Sequence, residues 1–196
     1  HPDNPITIAP QVNEDWLMEI RKQTDQAMRN SVAVIKKVHE EYRTTFGRGD
    51  PSPFIEEYMM EDAEIVLVGM GTLSLPVRVA LRRMREAGKK VGFLRVKYFR
   101  PFPADEIRQA LSQCKAVGVI DRDYSYGSPS FGGVLFHELR SALYPLERRP
   151  HVLNFIAGLG GREVLVRDVD HIVDIVQQAV DTGTVDQETT WIGVRE

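Results

Sequence analysis

The chain has 196 residues, of which 42% are hydrophobic and 27% charged, with a net charge of −3 at neutral pH. That length holds one ordinary domain with an extension, or two small domains, and the composition is globular rather than disordered. The charge gives no reason to expect nucleic acid or an anionic membrane as a partner, and no apolar run approaches the roughly 20 residues of a membrane helix.

Residues 1–12 carry three prolines and little periodicity, so they read as an extended linker. There is no signal-like start. A chain beginning at His1 rather than Met is expected to be a piece of something longer. Residues 13–46 read as a long helix with Asn13 or Asp15 as cap and Gly47 as its end. Trp16, Ile20, Met28, Ile35, Val38, Tyr42 and Phe46 fall on one stripe. Some 32 helical residues would span about 48 Å. A compact domain of this length is only about 40 Å across. Two readings stand: an arm that links to another domain, or a helix broken near Thr24 or Asn30.

Residues 47–53 form a turn, and Phe54–Met60 an edge strand, because Glu56 and Glu57 do not suit an internal one. Repeating units follow. Strands are expected at Ile65–Val68, Val91–Val96, Ala116–Ile120 and Val152–Ile156. Helices are expected at Leu75–Ala87, with Ser74 as cap, and at Ala104–Cys114. Two more are expected at Phe131–Leu143, capped by Ser130, and Val169–Val180, capped by Asp168. Residues 184–196 are polar apart from Trp191, Ile192 and Val194, a patch suited to docking on this domain or on a partner. The resulting organisation is a linker and arm over 1–53, an α/β domain over 54–183 and a tail over 184–196.

Strands this apolar on both faces belong inside a parallel sheet covered by helices. The fold class is α/β: a three-layer, open, mostly parallel sheet of five strands. Right-handed crossovers bring the strand C-ends to one edge. The turns 69–74 and 121–130 then flank the crevice where the strand order reverses, the place to look for a ligand.

Gly69, Gly71, Thr72 and Ser74 half-match a dinucleotide fingerprint. Ser74 replaces the third glycine, and Lys97 follows the second strand where a ribose-binding acid is required. A nicotinamide or flavin site is therefore disfavoured, although a helix N-terminus there could hold an anion. The stiff loop 97–103 holds Arg100 where it can reach a carboxylate across a subunit interface or a ligand. Asp121, Arg122, Ser125 and Gly127 lie in a loop that is not a nucleophile elbow. Gly160 and Arg162 belong to another glycine-rich rim loop. The five histidines are scattered without metal-ligand spacing. The single Cys114 excludes an internal disulfide and a full set of iron–sulfur ligands, and it fits a reducing, cytoplasmic setting. No self-sufficient catalytic set emerges, which argues for a domain of a larger assembly. A free-standing anion- or nucleotide-binding module remains the alternative.

Several motifs occur in a telling order: Phe-Gly-Arg at 46–48, Glu-Glu-Tyr at 56–58, Gly-Met-Gly-Thr at 69–72 and Arg-Pro-Phe-Pro at 100–103. Asp-Arg-X-X-Ser-X-Gly at 121–127 and Gly-Leu-Gly-Gly-Arg at 158–162 follow. Together they resemble the C-terminal part of the alpha subunit of the 2-oxoacid:ferredoxin oxidoreductases, pyruvate synthase among them. The domain type is similar to the C-terminal domain of transketolase. The resemblance implies oxidative decarboxylation of a 2-oxoacid with coenzyme A to acyl-CoA and carbon dioxide, electrons passing to ferredoxin. It implies thiamine diphosphate and iron–sulfur clusters in the whole complex, held by other domains or subunits and not by this chain alone. The implied partners are the N-terminal part of the same subunit, beta-, gamma- and delta-type subunits, and a second protomer. No catalytic residue carries over to this chain.

Overall fold

The computed structural model describes residues 2–6 and 11–195. The expected linker lies partly outside them, at residues 1 and 7–10. The chain divides into two compact units, 1–49 and 50–196.

The first unit is built on one unbroken helix, α1 (Glu14–Phe46), 33 residues long. No break occurs at Thr24 or Asn30. Their neighbourhood is instead tied by bonds along the helix, Arg29 to Asp25 at 2.8 Å and Gln26 to Asn30 at 2.9 Å. Such pairs contribute a few tenths of a kcal/mol each. Asn13 takes the N-cap position, but its amide donates to Asp15 instead of its oxygen accepting a helix N–H. Gly47, at φ 63°, closes the helix and returns its N–H to Arg43 O.

The second unit is a six-stranded sheet in the order β1-β3-β2-β4-β5-β6. Its strands are β1 (Ile55–Tyr58), β2 (Ile65–Met70), β3 (Val91–Val96), β4 (Ala116–Asp121), β5 (His151–Ile156) and β6 (Thr189–Trp191). Only β1 runs antiparallel, at the edge, as its two glutamates required. Glu56 there bridges Arg78 and Arg95. The expected count of five strands is corrected to six. The supposed tail supplies β6, which pairs with β5 and buries Ile192.

The helices are α2 (Ser74–Glu86), α3 (Ala104–Leu111), α4 (Val134–Leu143) and α5 (Val166–Thr182). α2 packs with α5 on one face of the sheet, and α3 with α4 on the other. Strand side chains alternate between these layers. Ile65, Leu67, Phe93 and Phe155 join Val77, Leu81, Ile172, Val173 and Val176 in one core. Val66, Val68, Leu94, Val117 and Val119 are equally buried and face α3 and α4. Each fully buried side chain of this size contributes about 1.5–3 kcal/mol.

Three helix starts differ from expectation. Ser74 is the first residue of α2, and its hydroxyl donates back to Gly71 O at 3.1 Å. Helix α4 begins at Val134, not at Phe131, because Gly132 and Gly133 are extended and the first helical N–H groups point at aspartates. Asp168 lies inside α5. Its carboxylate accepts the N–H of Leu165, the residue before the helix, at 2.8 Å.

Candidate functional site

The strand order reverses across β2. β3 follows it on one side and β4 on the other, so the crevice opens between the C-ends of β2 and β4. A cavity of about 290 Å³ lies there, lined by Met70, Leu73, Phe99, Asp121, Arg122 and Leu135 among others. A second, of similar volume, lies beside the start of α2 and is lined by Thr72, Arg122, Arg162 and Val164. Arg122 borders both. A larger cavity, about 440 Å³, sits by β1 and α3 with Glu57, Glu61 and Glu106 in its wall, and holds none of the expected residues.

The crevice is built on the end of β4. Asp121 is its last residue, 3% exposed, and its carboxylate accepts the N–H groups of Leu135 and Phe136 at 3.1 Å each. The side-chain amide of Asn154, on β5, donates to the same carboxylate at 2.8 Å and to Val119 O at 3.1 Å. Asn154 Oδ1 accepts the N–H of Gly133 at 2.9 Å, and Asp123 accepts that of Val134 at 2.9 Å. Four N–H groups at the start of α4, which would otherwise lack partners, are thus satisfied by three side chains. Gly133 must be glycine: a Cβ would stand 2.3 Å from the Asp121 carboxyl carbon. Burial pushes the Asp121 carboxyl up to about 6; the charge of Asp123 pushes it the same way, and the hydrogen bonds oppose both. Its oxygens face donors that belong to the fold, so its role is to hold α4 against the sheet.

The other expected residues separate into two groups. Gly71, Thr72, Arg122 and Arg162 come together at the start of α2. Arg122 donates to Thr72 Oγ1 at 3.1 Å and reaches Gly158 O at 3.5 Å, while Arg162 donates to Gly193 O. Gly71 sits at φ 64°, in a 3-10 turn that leads into α2. Gly69 is a strand residue where a Cβ would meet only ordinary contacts, so the glycine there is not a steric requirement. Gly160 is exposed at φ 63° in the neighbouring loop.

Arg100, Ser125 and Gly127 are engaged elsewhere. Arg100 stacks on Phe99 at 4.3 Å and pairs with Glu138 of α4, so the carboxylate it meets lies within this chain. The peptide between Arg100 and Pro101 is cis. Ser125 donates its N–H to Gly132 O, and Gly127 turns the exposed tip of the loop at φ 71°. Around that tip, Tyr124 packs on Tyr126 and Trp191 at ring separations of 4.7 and 5.0 Å. Lys97, in place of a ribose-binding acid, pairs with Asp50 at 2.8 Å. The fingerprint's missing acid is therefore replaced by a structural cation.

Sequence reasoning placed Asp123 with Asp121 and Arg122 on the crevice rim but missed Asn154. The signal for Asn154 was present: one amide within the apolar run His-Val-Leu-Asn-Phe-Ile, a buried polar group that requires partners.

The family described as pyruvate:ferredoxin oxidoreductase core domain II matches residues 63–169. Ketoisovalerate oxidoreductase subunit VorA of Pyrococcus horikoshii is 38% identical over 189 residues, 96% of this chain and 47% of its own. Pyruvate synthase subunit PorA of Methanothermobacter thermautotrophicus is 36% identical over 195 residues, 100% of this chain and 47% of its own. Among solved structures, a 2-oxoglutarate:ferredoxin oxidoreductase from Magnetococcus marinus aligns with a TM-score of 0.48 at 18% identity, over 77% of this chain and 23% of that one. The chain spans about half the length of the curated relatives it matches. With the family match running from the start of β2 into α5, the chain belongs to the pyruvate:ferredoxin oxidoreductase core domain II family.

Proposed function

We propose that the chain is a non-catalytic scaffold domain of a 2-oxoacid:ferredoxin oxidoreductase, with pyruvate as the favoured 2-oxoacid. The whole enzyme converts the 2-oxoacid and coenzyme A to acyl-CoA and carbon dioxide and passes electrons to ferredoxin. Its other parts are the remainder of the same subunit and beta-, gamma- and delta-type subunits, assembled as a dimer of protomers in the cytoplasm. No helix among the described residues is long and apolar enough to cross a membrane.

The observation that carries this reading is the use made of Asp121. It is the one buried carboxylate among the described residues, and its oxygens are occupied by α4 and Asn154. An iron–sulfur cluster does not fit these residues. It needs several thiolates, whereas Cys114 is the sole cysteine, buried, with its thiol pushed up to about 12 by burial. Thiamine diphosphate is assigned in this reading to the other parts of the enzyme; among the described residues no group of three or more His, Cys, Asp or Glu could hold a metal ion. No reaction step is assigned to this chain on either group.

The test is complementation. The chain alone is expected to show no 2-oxoacid- and CoA-dependent reduction of ferredoxin, and activity is expected once the rest of the subunit and its partners are added. A complex that keeps full turnover without this domain would overturn the proposal. Arg122 and Arg162, which line one cavity, favour a second reading, a free-standing anion module. Calorimetric titration with coenzyme A, thiamine diphosphate and nicotinamide nucleotides separates the two. Micromolar binding to the isolated chain supports the module.

A further inference from the structure

The cavity that Arg122 and Arg162 line has a group of exposed aromatic rings close by in the chain. Tyr124 packs on Trp191 at a ring separation of 5.0 Å and on Tyr126 at 4.7 Å. Tyr126 is 88% exposed and Trp191 44%. We infer that cavity and rings form one site that binds a mononucleotide, its phosphate held by Arg122 and Arg162 and its base laid on Trp191 and Tyr126. This rests on the second reading above only in that the two arginines receive an anion, and it holds equally for a scaffold domain.

The first support is charge. Arg78, Arg85, Arg100 and Arg140 each meet a carboxylate. Arg122 and Arg162 meet none among the described residues. They donate to neutral oxygens instead, those of Thr72, Gly158 and Gly193. A guanidinium carries five N–H donors, so each keeps donors for a ligand. A phosphate can accept from two such forks at once. The cavity wall holds one acid, Glu163, which opposes an anion and leaves the arginines in excess.

The second is backbone. Gly158 sits at φ 76°, and a Cβ there would stand 3.1 Å from Arg122 Nε. The bare glycine lets the guanidinium lie against its loop, which fixes the charge at the cavity.

The third is the placement of the rings. Arg122 and Tyr124 lie two residues apart on one loop. Gly193, whose carbonyl Arg162 holds, lies two residues beyond Trp191. Two residues span at most about 7 Å. Base and phosphate are separated by a comparable distance across a ribose. The broken dinucleotide fingerprint is no obstacle, because the base lies toward β6 and not across the crevice. Stacking on aromatic side chains tolerates any base, so ring and phosphate together define the ligand class.

The test uses the 196-residue chain carrying Trp16→Phe, in which Trp191 is the only tryptophan. AMP is expected to quench Trp191 saturably, with a Kd of about 0.1–1 mM for an open, salt-screened site. Ribose 5-phosphate, which lacks the base, should displace AMP only at about tenfold higher concentration. Arg162→Gln should weaken both about tenfold. Glu163→Gln should tighten both about twofold. Tyr126→Leu, at the exposed loop tip, should narrow the gap between the two without weakening ribose 5-phosphate. Coenzyme A, which carries a 3′-phosphorylated adenosine, separates the sources of the nucleotide. Tighter binding than AMP, equally sensitive to Arg162→Gln, makes the coenzyme the ligand; weaker binding makes it a free mononucleotide, and both results support the site. Equal competition by AMP and ribose 5-phosphate overturns the mononucleotide and leaves the anion reading standing. Quenching that ignores Arg162→Gln overturns the shared site, and an absence of binding by either compound overturns the anion reading as well.

Discussion

Asp121 is an acid in an unusual position: buried, and engaged with a helix start. Its folded-state pKa of about 6 lies above the ordinary carboxylate value near 3.9. Between about pH 4 and 6 the folded chain therefore holds the extra proton. The contribution of Asp121 to stability rises as pH falls through that window and declines as pH climbs out of it. In Asp121→Asn the amide presents N–H groups where Phe136 and Asn154 also donate. We expect a loss of about 1–3 kcal/mol near pH 7. The gap to wild type should widen on acidification toward pH 4, as read by urea unfolding across that range; a constant gap would mean Asp121 does not titrate there. Gly133→Ala puts a methyl group into the same carboxyl, and a loss of about 3 kcal/mol or more is expected by the same measurement. Little of this was legible in the sequence. Asp121 stood out as a charge after an apolar strand, but its partners are 14, 15 and 33 residues away. No local pattern encodes such distances.

At the level of elements, the parallel core was readable because β2 and β4 are apolar on both faces, a pattern that fits few other structures. β6 was not readable. Thr189–Trp191 is three residues of mixed character behind a polar stretch, and it becomes a strand only because β5 offers an open edge. The start of α4 was misread for a related reason: Ser130 looks like a cap locally, whereas Asp121 and Asp123 reach the helix from the sheet side. Ending the chain after Gly183 removes the bonds from Asn154 N to Glu188 O and from Ile192 N to Ile156 O, and uncovers the edge of β5. We expect the melting temperature to fall by about 5–10 °C, equivalent to roughly 2–3 kcal/mol at this size. Differential scanning calorimetry would detect this, and an unchanged transition would show that β6 adds nothing.

For the whole molecule, the sequence revealed the family through the order of its turns, and several side chains of those turns are engaged in contacts within the domain. Arg100 illustrates this. Its pair with Glu138 is partly exposed, and such pairs contribute at most about 1 kcal/mol. Arg100→Ala is therefore expected to leave the isolated chain folded, with a midpoint in urea close to wild type. In the oxidoreductase assembly proposed above the same change should lower turnover or assembly, because Phe99 lines the crevice and its loop loses its tie to α4. Unchanged assembly and turnover would remove Arg100 from the interface.

β6 is fastened to more than its neighbouring strand. Thr189 donates its hydroxyl to Ser130 O, Glu188 meets Arg140 on α4, and the backbone of Asn154 holds Glu188 while its side chain grips Asp121. Peeling away this short ribbon would slacken the crevice lip and the α4 moorings together. A mechanical pull on the segment that follows β6 would thereby reach the mouth of the sheet, some of whose stiffness is supplied from outside the repeating α/β units.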